Sequence, residues 1–348
     1  MTGHACMPRR RSQAGFTLVE LMIAMLLGLI VIAGVTSIFL ANQRVYRTNA
    51  ALGDVQDSAR IAFEMMARDI RDAGLTGCNS TPATLRLSNL LKNGPTAGGT
   101  DWWADWNNSV HGYDGSGATG DPALSGVSAP HVDKTDSIQL IGAMDSGVTV
   151  ASDTETSGVL TTNESSPGLV AGDIAMVCDP DHATLVQFTS VSGNSLTHAL
   201  NTGSPGNCSQ GLGYPAVCTD TGNTYTFQPN AQIAKLSAVD WYIGSQTIDG
   251  ATVDSLYRVD LENKSGVPTP TAQEMVRNVT DMQIQYHVSG ATSFVDAGSI
   301  ASTNWPSVDA VQVTFTLQST DQRAGTDAKP LTRTFTATTS VRNRVIVK

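Results

Sequence analysis

Charge is scarce in this chain. Only 15% of its 348 residues are Asp, Glu, Lys or Arg, and acids outnumber bases 31 to 21, for a formal net charge of −10. With no basic stripe to follow a phosphate backbone, nucleic acid is excluded as a constitutive partner. Catalytic signatures are missing too: His111, His131, His182, His198 and His287 are scattered, without an HExxH pair or a nucleophile-elbow serine, and each is expected on a loop or strand surface. Asp179 and Asp181 flank Pro180 and read as turn formers rather than a general acid and base. There is no CxxC pair to hold zinc. Gly115, Gly117 and Gly120 spell GxGxxG, but no apolar strand precedes them and Asp121-Pro122 follows, which argues against a dinucleotide fold. No enzymatic activity, metal or cofactor is expected.

What the chain does have is one long apolar run. Gly15 to Ala41 reads GFTLVELMIAMLLGLIVIAGVTSIFLA, directly behind Arg9, Arg10 and Arg11. Roughly 20 apolar residues at about 1.5 Å each span the hydrocarbon of a bilayer as a helix. Glu20 does not belong in such a run. A carboxylate there is costly without a partner and so marks a functional position, the bland alternative being a protonated or snorkelling side chain. No alanine-type signal-peptidase site follows, so retention by the helix is expected rather than release. From Asn42 to Ala73 the sequence contains no proline. It carries Val45, Leu52, Val55, Ala59, Ala62, Phe63, Met66 and Ile70 as an apolar stripe, with Arg60, Glu64, Arg68, Asp69, Arg71 and Asp72 opposite. The two segments predict one helix of about 55 residues, stopped at Gly74 and Gly77.

Gly15, Phe16, Thr17, Leu18, Val19 and Glu20 behind a short basic leader closely resemble the prepilin signal of type IV pilins, minor pilins and secretion pseudopilins. The resemblance implies cleavage between Gly15 and Phe16 by the prepilin peptidase, methylation of the new Phe16 amine, and use of Glu20 to register an incoming subunit. Glu20 lies one helical turn from that amine. Removing the three leader arginines would take the net charge from −10 to −13. A start at Met7 would leave the compact leader MPRRRSQAG, so translation is expected to begin at Met7 rather than Met1.

The stretch SARIAFEMMARDIRDAGLTGC, Ser58 to Cys78, is similar to the helix end of PilW-type minor pilins, with their glycine-cysteine exit. The segments Gly172 to Cys178, Glu274 to Tyr286 and Val341-Arg342-Asn343-Arg344 also resemble this group, and Glu274 to Tyr286 is shared with J-type pseudopilins. The implied fold is α+β and pilin-like: a long N-terminal helix, half in the membrane and half periplasmic, packed on an antiparallel β-rich C-terminal domain. The expected divisions are a leader (1–15), a transmembrane part (16–41), a periplasmic amphipathic part (42–74), a loop-rich insert (75–130) and a β-rich domain (131–348).

Within the insert, Trp102, Trp103 and Trp106 stand among Asp101, Asp105, Asn107 and Asn108, a set that would bind a sugar or partner if exposed, or form a small core if not. Beyond it, period-two alternation marks strands around Ile138, Ile174–Cys178, Val239–Ile243, Tyr257–Leu261, Met282–Val288 and Val311–Leu317. Such alternation predicts sheets wet on one side. Ile174–Cys178 and Ala183–Thr189 read as a hairpin-like pair. Outside the leader's Cys6, four cysteines remain, an even number suited to an oxidising compartment. Of three connectivities, the preferred one joins Cys208 to Cys218, closing the loop 207–219, and Cys78 to Cys178, tying the helix exit to the sheet.

The function expected is that of a structural minor pilin. It would be stored in the bacterial inner membrane with its N-terminus cytoplasmic and its C-terminal domain periplasmic, and would help start a type IV pilus at the tip. Its partners would be the prepilin peptidase, other minor and major pilins, the inner-membrane assembly platform and membrane lipid. The alternatives are a J-type pseudopilin of type II secretion and a tip adhesin using the tryptophans.

Overall fold

The computed structural model of the protein describes residues 15–76, 86–115, 120–325, 327 and 329–342. A single helix, α1 (Leu18–Asp72), takes up the N-terminal part. No proline interrupts residues 9–81, which is what lets the helical hydrogen bonds run unbroken across Gly28 and Gly34. It ends where Gly74 turns left-handed at φ 74°, a conformation that costs a side-chain-bearing residue more than glycine.

Fifteen strands follow among the described residues. The first eight are β1 (Arg86–Asn89), β2 (Val110–Tyr113), β3 (Ser137–Thr154), β4 (Val159–Thr162), β5 (Ile174–Cys178), β6 (His182–Gln187), β7 (Ser190–Ser192) and β8 (Ser195–Thr197). The others are β9 (Gln232–Ile248), β10 (Ala251–Lys264), β11 (Val267–Arg277), β12 (Val279–Val288), β13 (Val295–Asp296), β14 (Val308–Gln318) and β15 (Thr332–Ser340). Eleven make one sheet along the path β1-β6-β5-β9-β3-β4-β8-β7, with β2 on β3, β10 on β9 and β11 on β10. Pairing in it is antiparallel except for β1 on β6. The other four form a second antiparallel sheet, β13-β12-β14-β15. Asn278, at φ 60°, is the single residue by which the chain leaves β11 for β12 and so changes sheet.

The chain divides into two compact units: Met1–Gly53 with Asp321–Leu331, and Asp54–Thr320 with Thr332–Lys348. In the first, Ala51 and Leu52 of α1 pack on Ala324 and Leu331, and the Thr48 hydroxyl donates to the Ala324 carbonyl at 2.6 Å. In the second, Val55, Ala59, Ala62, Met66 and Ile70 are at most 2% exposed. They share a core with Ile138, Val239 and Trp241 of the large sheet and with Ile284, Val313 and Phe315 of the small one. The expected apolar stripe is therefore real from Val55 onward, whereas Val45 is 59% exposed. Asp69, expected on the solvent side with the other charges, instead accepts from Trp241 Nε1 at 2.9 Å and from Arg258 Nε at 2.8 Å.

The helix end comes so close to β3 that a Cβ added to Gly142 would lie 2.5 Å from the Asp72 carbonyl oxygen. The chain then joins the edge of β3, Gly74 N–H donating to Ile141 and Ala143 N–H to Leu75 at 2.8 and 2.7 Å.

The large sheet departs from the expectation of one wet face. Every residue of β5 and β6 is buried, as is most of β9. The reason is the segment anticipated as loop. Leu91, Trp102, Trp103, Ala104 and Ala123 pack on Ile141, Ala143, Met176, Leu185 and Leu236, and the same segment supplies β1 and β2. Period-two alternation survives where one face is open, as in β12 and β14. The β5–β6 hairpin is as expected, with Asp179 Oδ1 accepting the His182 N–H in its turn.

Ile70→Ala should lower the unfolding free energy of the detergent-solubilised protein by about 2–5 kcal/mol in a denaturant titration. Ile61→Ala, on a side chain that is 51% exposed, should change it by no more than about 0.5 kcal/mol. Equal effects of the two would contradict this packing.

Candidate functional site

The first turn of α1 is where the sequence places its processing and registration residues. Gly15, Phe16 and Thr17 precede the helix and are exposed, Phe16 at 86%. Thr17 and Glu20 cap one another. The Glu20 carboxylate accepts from the Thr17 N–H and hydroxyl, each at 3.0 Å, while the Thr17 Oγ1 accepts the Glu20 N–H at 3.3 Å. This is the reciprocal threonine–glutamate arrangement that satisfies two otherwise unpaired helix-start donors. Its signature, Thr17-Leu18-Val19-Glu20, stands in the sequence. A reading that treats Glu20 only as a charge misses Thr17, which positions it.

From Leu21 to Gln43 there is no charged residue, a length of roughly 35 Å at about 1.5 Å per residue. The helix is long and apolar enough to cross a membrane, and none of its most apolar window is buried against the rest of the protein. Its two hydroxyls are satisfied internally, Thr36 on the Ile32 carbonyl and Ser37 on the Gly34 carbonyl, each at 2.8 Å. In hydrocarbon no water would serve them instead.

Elsewhere the sequence candidates separate. Trp102 and Trp103 are 8% and 6% exposed, built into the core on the large sheet, and Trp106 is only partly buried beside them. As a surface-binding set the three do not hold together: two are core residues, because the segment that carries them covers the sheet. Cys208 and Cys218 form a disulfide ten residues apart in sequence. Cys178 is also disulfide-bonded, and its Sγ lies 3.7 Å from the Thr76 carbonyl just beyond the helix end. The expected partner, Cys78, lies outside the described residues, as do Gly77 and Gly117.

The histidines do not meet. His182 is buried, with Nε2 donating to the Leu212 carbonyl at 2.7 Å and its ring 4.0 Å from that of Tyr225. His198 is fully enclosed, and burial pushes its pKa down to about 4, so it stays neutral. These two differ from the surface placement expected of them, while His287 sits on β12 with Nδ1 2.6 Å from Asp309. Among the described residues no group of three or more His, Cys, Asp or Glu could hold a metal ion.

Comparison with known families gives two matches. Residues 10–36 match the prokaryotic N-terminal methylation motif, which covers Arg10, Arg11, Gly15, Phe16, Glu20 and most of the apolar run. Residues 240–346 match Type IV Pilus-assembly protein W, from the second half of β9 through β15. No curated protein matches the chain. Neither matched family is one of enzymes. The capped, uncharged helix behind a methylation motif and the family match across the last strands together support a PilW-type, pilin-like protein.

Proposed function

We propose that the protein is a minor pilin that helps initiate a type IV pilus, at its tip. The observation that carries this reading is the combination on one helix of an exposed Gly15–Phe16 bond, a capped Glu20 and an uncharged span whose most apolar window is not buried among the described residues. Such a span is stable in lipid or among other apolar helices, and nowhere else. After cleavage, Glu20 lies four residues from the new Phe16 amine, close enough to meet that charge or the amine of a neighbouring subunit. A subunit displaced along the filament axis would leave this carboxylate in an apolar medium with only its Thr17 hydrogen bonds and no positive charge to meet, which is how one acid sets the register.

Arg9, Arg10 and Arg11 favour a cytoplasmic N-terminus, with Arg44 and Arg47 on the far flank weakening the bias. The remainder then faces the periplasm of a Gram-negative cell, an oxidising setting that agrees with the Cys208–Cys218 disulfide. The prepilin peptidase would be the processing partner. Other pilins and the inner-membrane assembly platform would be the assembly partners.

Gly15→Leu should accumulate as a precursor that keeps its basic leader, visible by mass spectrometry of the intact protein. A mature N-terminus at Phe16 in that variant would contradict the assigned cut. Glu20→Ala should be membrane-inserted and processed yet lose most of its ability to support pilus formation, counted as pili per cell by electron microscopy. Full piliation by that variant would remove the registration role.

A further inference from the structure

The face of the large sheet turned away from α1 carries a polar row in cross-strand register. His111 on β2 is opposite Gln139 on β3, and Gln139 is opposite Asp240 on β9, with Val259 of β10 on the far side. Asp240 is completely buried, and neither of its carboxylate oxygens has a hydrogen-bond donor among the described residues. Facing it is Asp121, from the turn that crosses this part of the sheet. Asp121 is well supplied: it accepts from the Ala123 N–H at 2.9 Å, and from the Ser137 hydroxyl and Gln139 Nε2 at 2.5 Å each.

Two neighbouring carboxylates, one of them fully enclosed, strongly disfavour being ionised together. The donors decide which one keeps the charge. Asp121 holds three and Asp240 none, so the proton belongs on Asp240, whose O–H then donates to Asp121. Burial pushes the Asp240 carboxyl well above the ordinary carboxylate range, and the charge of Asp121 adds to the effect.

The other titratable groups around the pair are His111 and Tyr113 of β2, Asp105 beside them, Tyr242 on the same strand and Tyr286 of β12. None is a lysine or arginine, and burial holds the His111 ring toward its neutral form. Among the described residues nothing nearby offsets a second negative charge. A bound cation would need ligand oxygens that Asp121 has already committed to N–H and O–H donors.

We propose that Asp240 and Asp121 form an acid–carboxylate latch, one proton shared between two side chains, that fastens the Asp121–Leu124 turn onto the sheet and loosens as pH rises. Folded Asp240 keeps a proton that it releases once the turn lifts and water enters, so the closed state binds more protons than the open one. The latch is therefore strongest below the ordinary carboxylate value of 3.8 and weakens as pH climbs toward the raised value of the buried acid. Through that window the opening equilibrium grows about tenfold per pH unit.

The test is amide hydrogen exchange, read by mass spectrometry on the processed full-length protein in detergent from about pH 5 to about pH 9, with the intrinsic pH dependence of exchange divided out. Protection of residues 120–125 should fall about tenfold per pH unit over part of that range. Protection of β14 should not. In Asp240→Asn the amide can donate to Asp121 and cannot titrate, so the slope should vanish while the turn stays protected. A second readout is infrared: difference spectra of the wild type against Asp240→Asn should show the C=O stretch of a protonated carboxylic acid that persists through this window and is lost only at its upper end, where the closed state itself gives up the proton. A flat wild-type profile, an unchanged slope in Asp240→Asn, or absence of that infrared band would overturn the latch. So would loss of protection on adding EDTA at constant pH, which would assign the pair to a cation.

Discussion

Asp69 is a charged residue that the second unit partly buries against Trp241, and the packing of that unit turns on it. Its carboxylate is shared between the indole N–H of Trp241 and the guanidinium of Arg258, which also pairs with Asp260. An ion pair of this partly buried kind contributes little by attraction alone, because desolvation offsets much of the Coulomb gain. What it supplies is specificity. Only one rotation of α1 brings Asp69 to Arg258 and Trp241 while Ala62, Met66 and Ile70 enter the core. The same placement sets the Asp72 carbonyl against Gly142, where any side chain would collide. From there the backbone of Gly74 and Leu75 continues directly into hydrogen bonds with β3, so helix and sheet share one register.

With the second half of α1 on one face of the large sheet, the other face, apolar apart from the row around Asp240, needs its own cover. The described residues of 86–115 and 120–124 provide it with a low density of regular structure: two short strands, several single turns of 3-10 helix and two buried indoles. Polar side chains hold such a segment where it has few backbone ladders. Asn89 donates to the Ala104 carbonyl at 2.6 Å, and Asp121 gathers Ser137 and Gln139. Among the described residues the four-stranded sheet has no comparable cover. Its outer face is a ladder of hydroxyls, with Thr314 opposite Thr336 and Thr316 opposite Thr334. A threonine-rich face of this kind is stable in water and leaves the inner face free for Val313 and Phe315.

The N-terminal part of the helix follows a different rule. Its side chains between Glu20 and Arg44 are uncharged all the way round, not on one stripe, so no single protein face can satisfy them. Lipid and the flanks of similar helices can. Glu20 is tolerated at its end because Thr17 and the free N–H groups of the first turn give the carboxylate local donors. These hydrogen bonds are exposed, and exposed hydrogen bonds to a carboxylate are readily traded.

Local pattern carried much of this into the sequence itself. An uninterrupted apolar run, the Gly15-Phe16…Glu20 spacing, the stripe from Val55 to Ile70 and the alternation of β12 and β14 each depend on residues close in the chain, and each was legible. The Cys208–Cys218 loop was legible for the same reason. The burial of Trp102 and Trp103, the inward turn of Asp69 and the pairing of Asp121 with Asp240 were not. Each rests on contacts between residues dozens to hundreds of positions apart, where sequence spacing carries no information about distance. Composition made 75–130 look like exposed loop because Gly, Asn, Asp and Ser favour turns; it could not show that a sheet lacking a second helix would draw those turns and their tryptophans onto its bare face. The sequence alone determined a membrane-length helix with a processing signal and a β-rich remainder. Tertiary structure decided which polar residues are buried and what they face, because the cost of an unpaired charge depends on the walls around it.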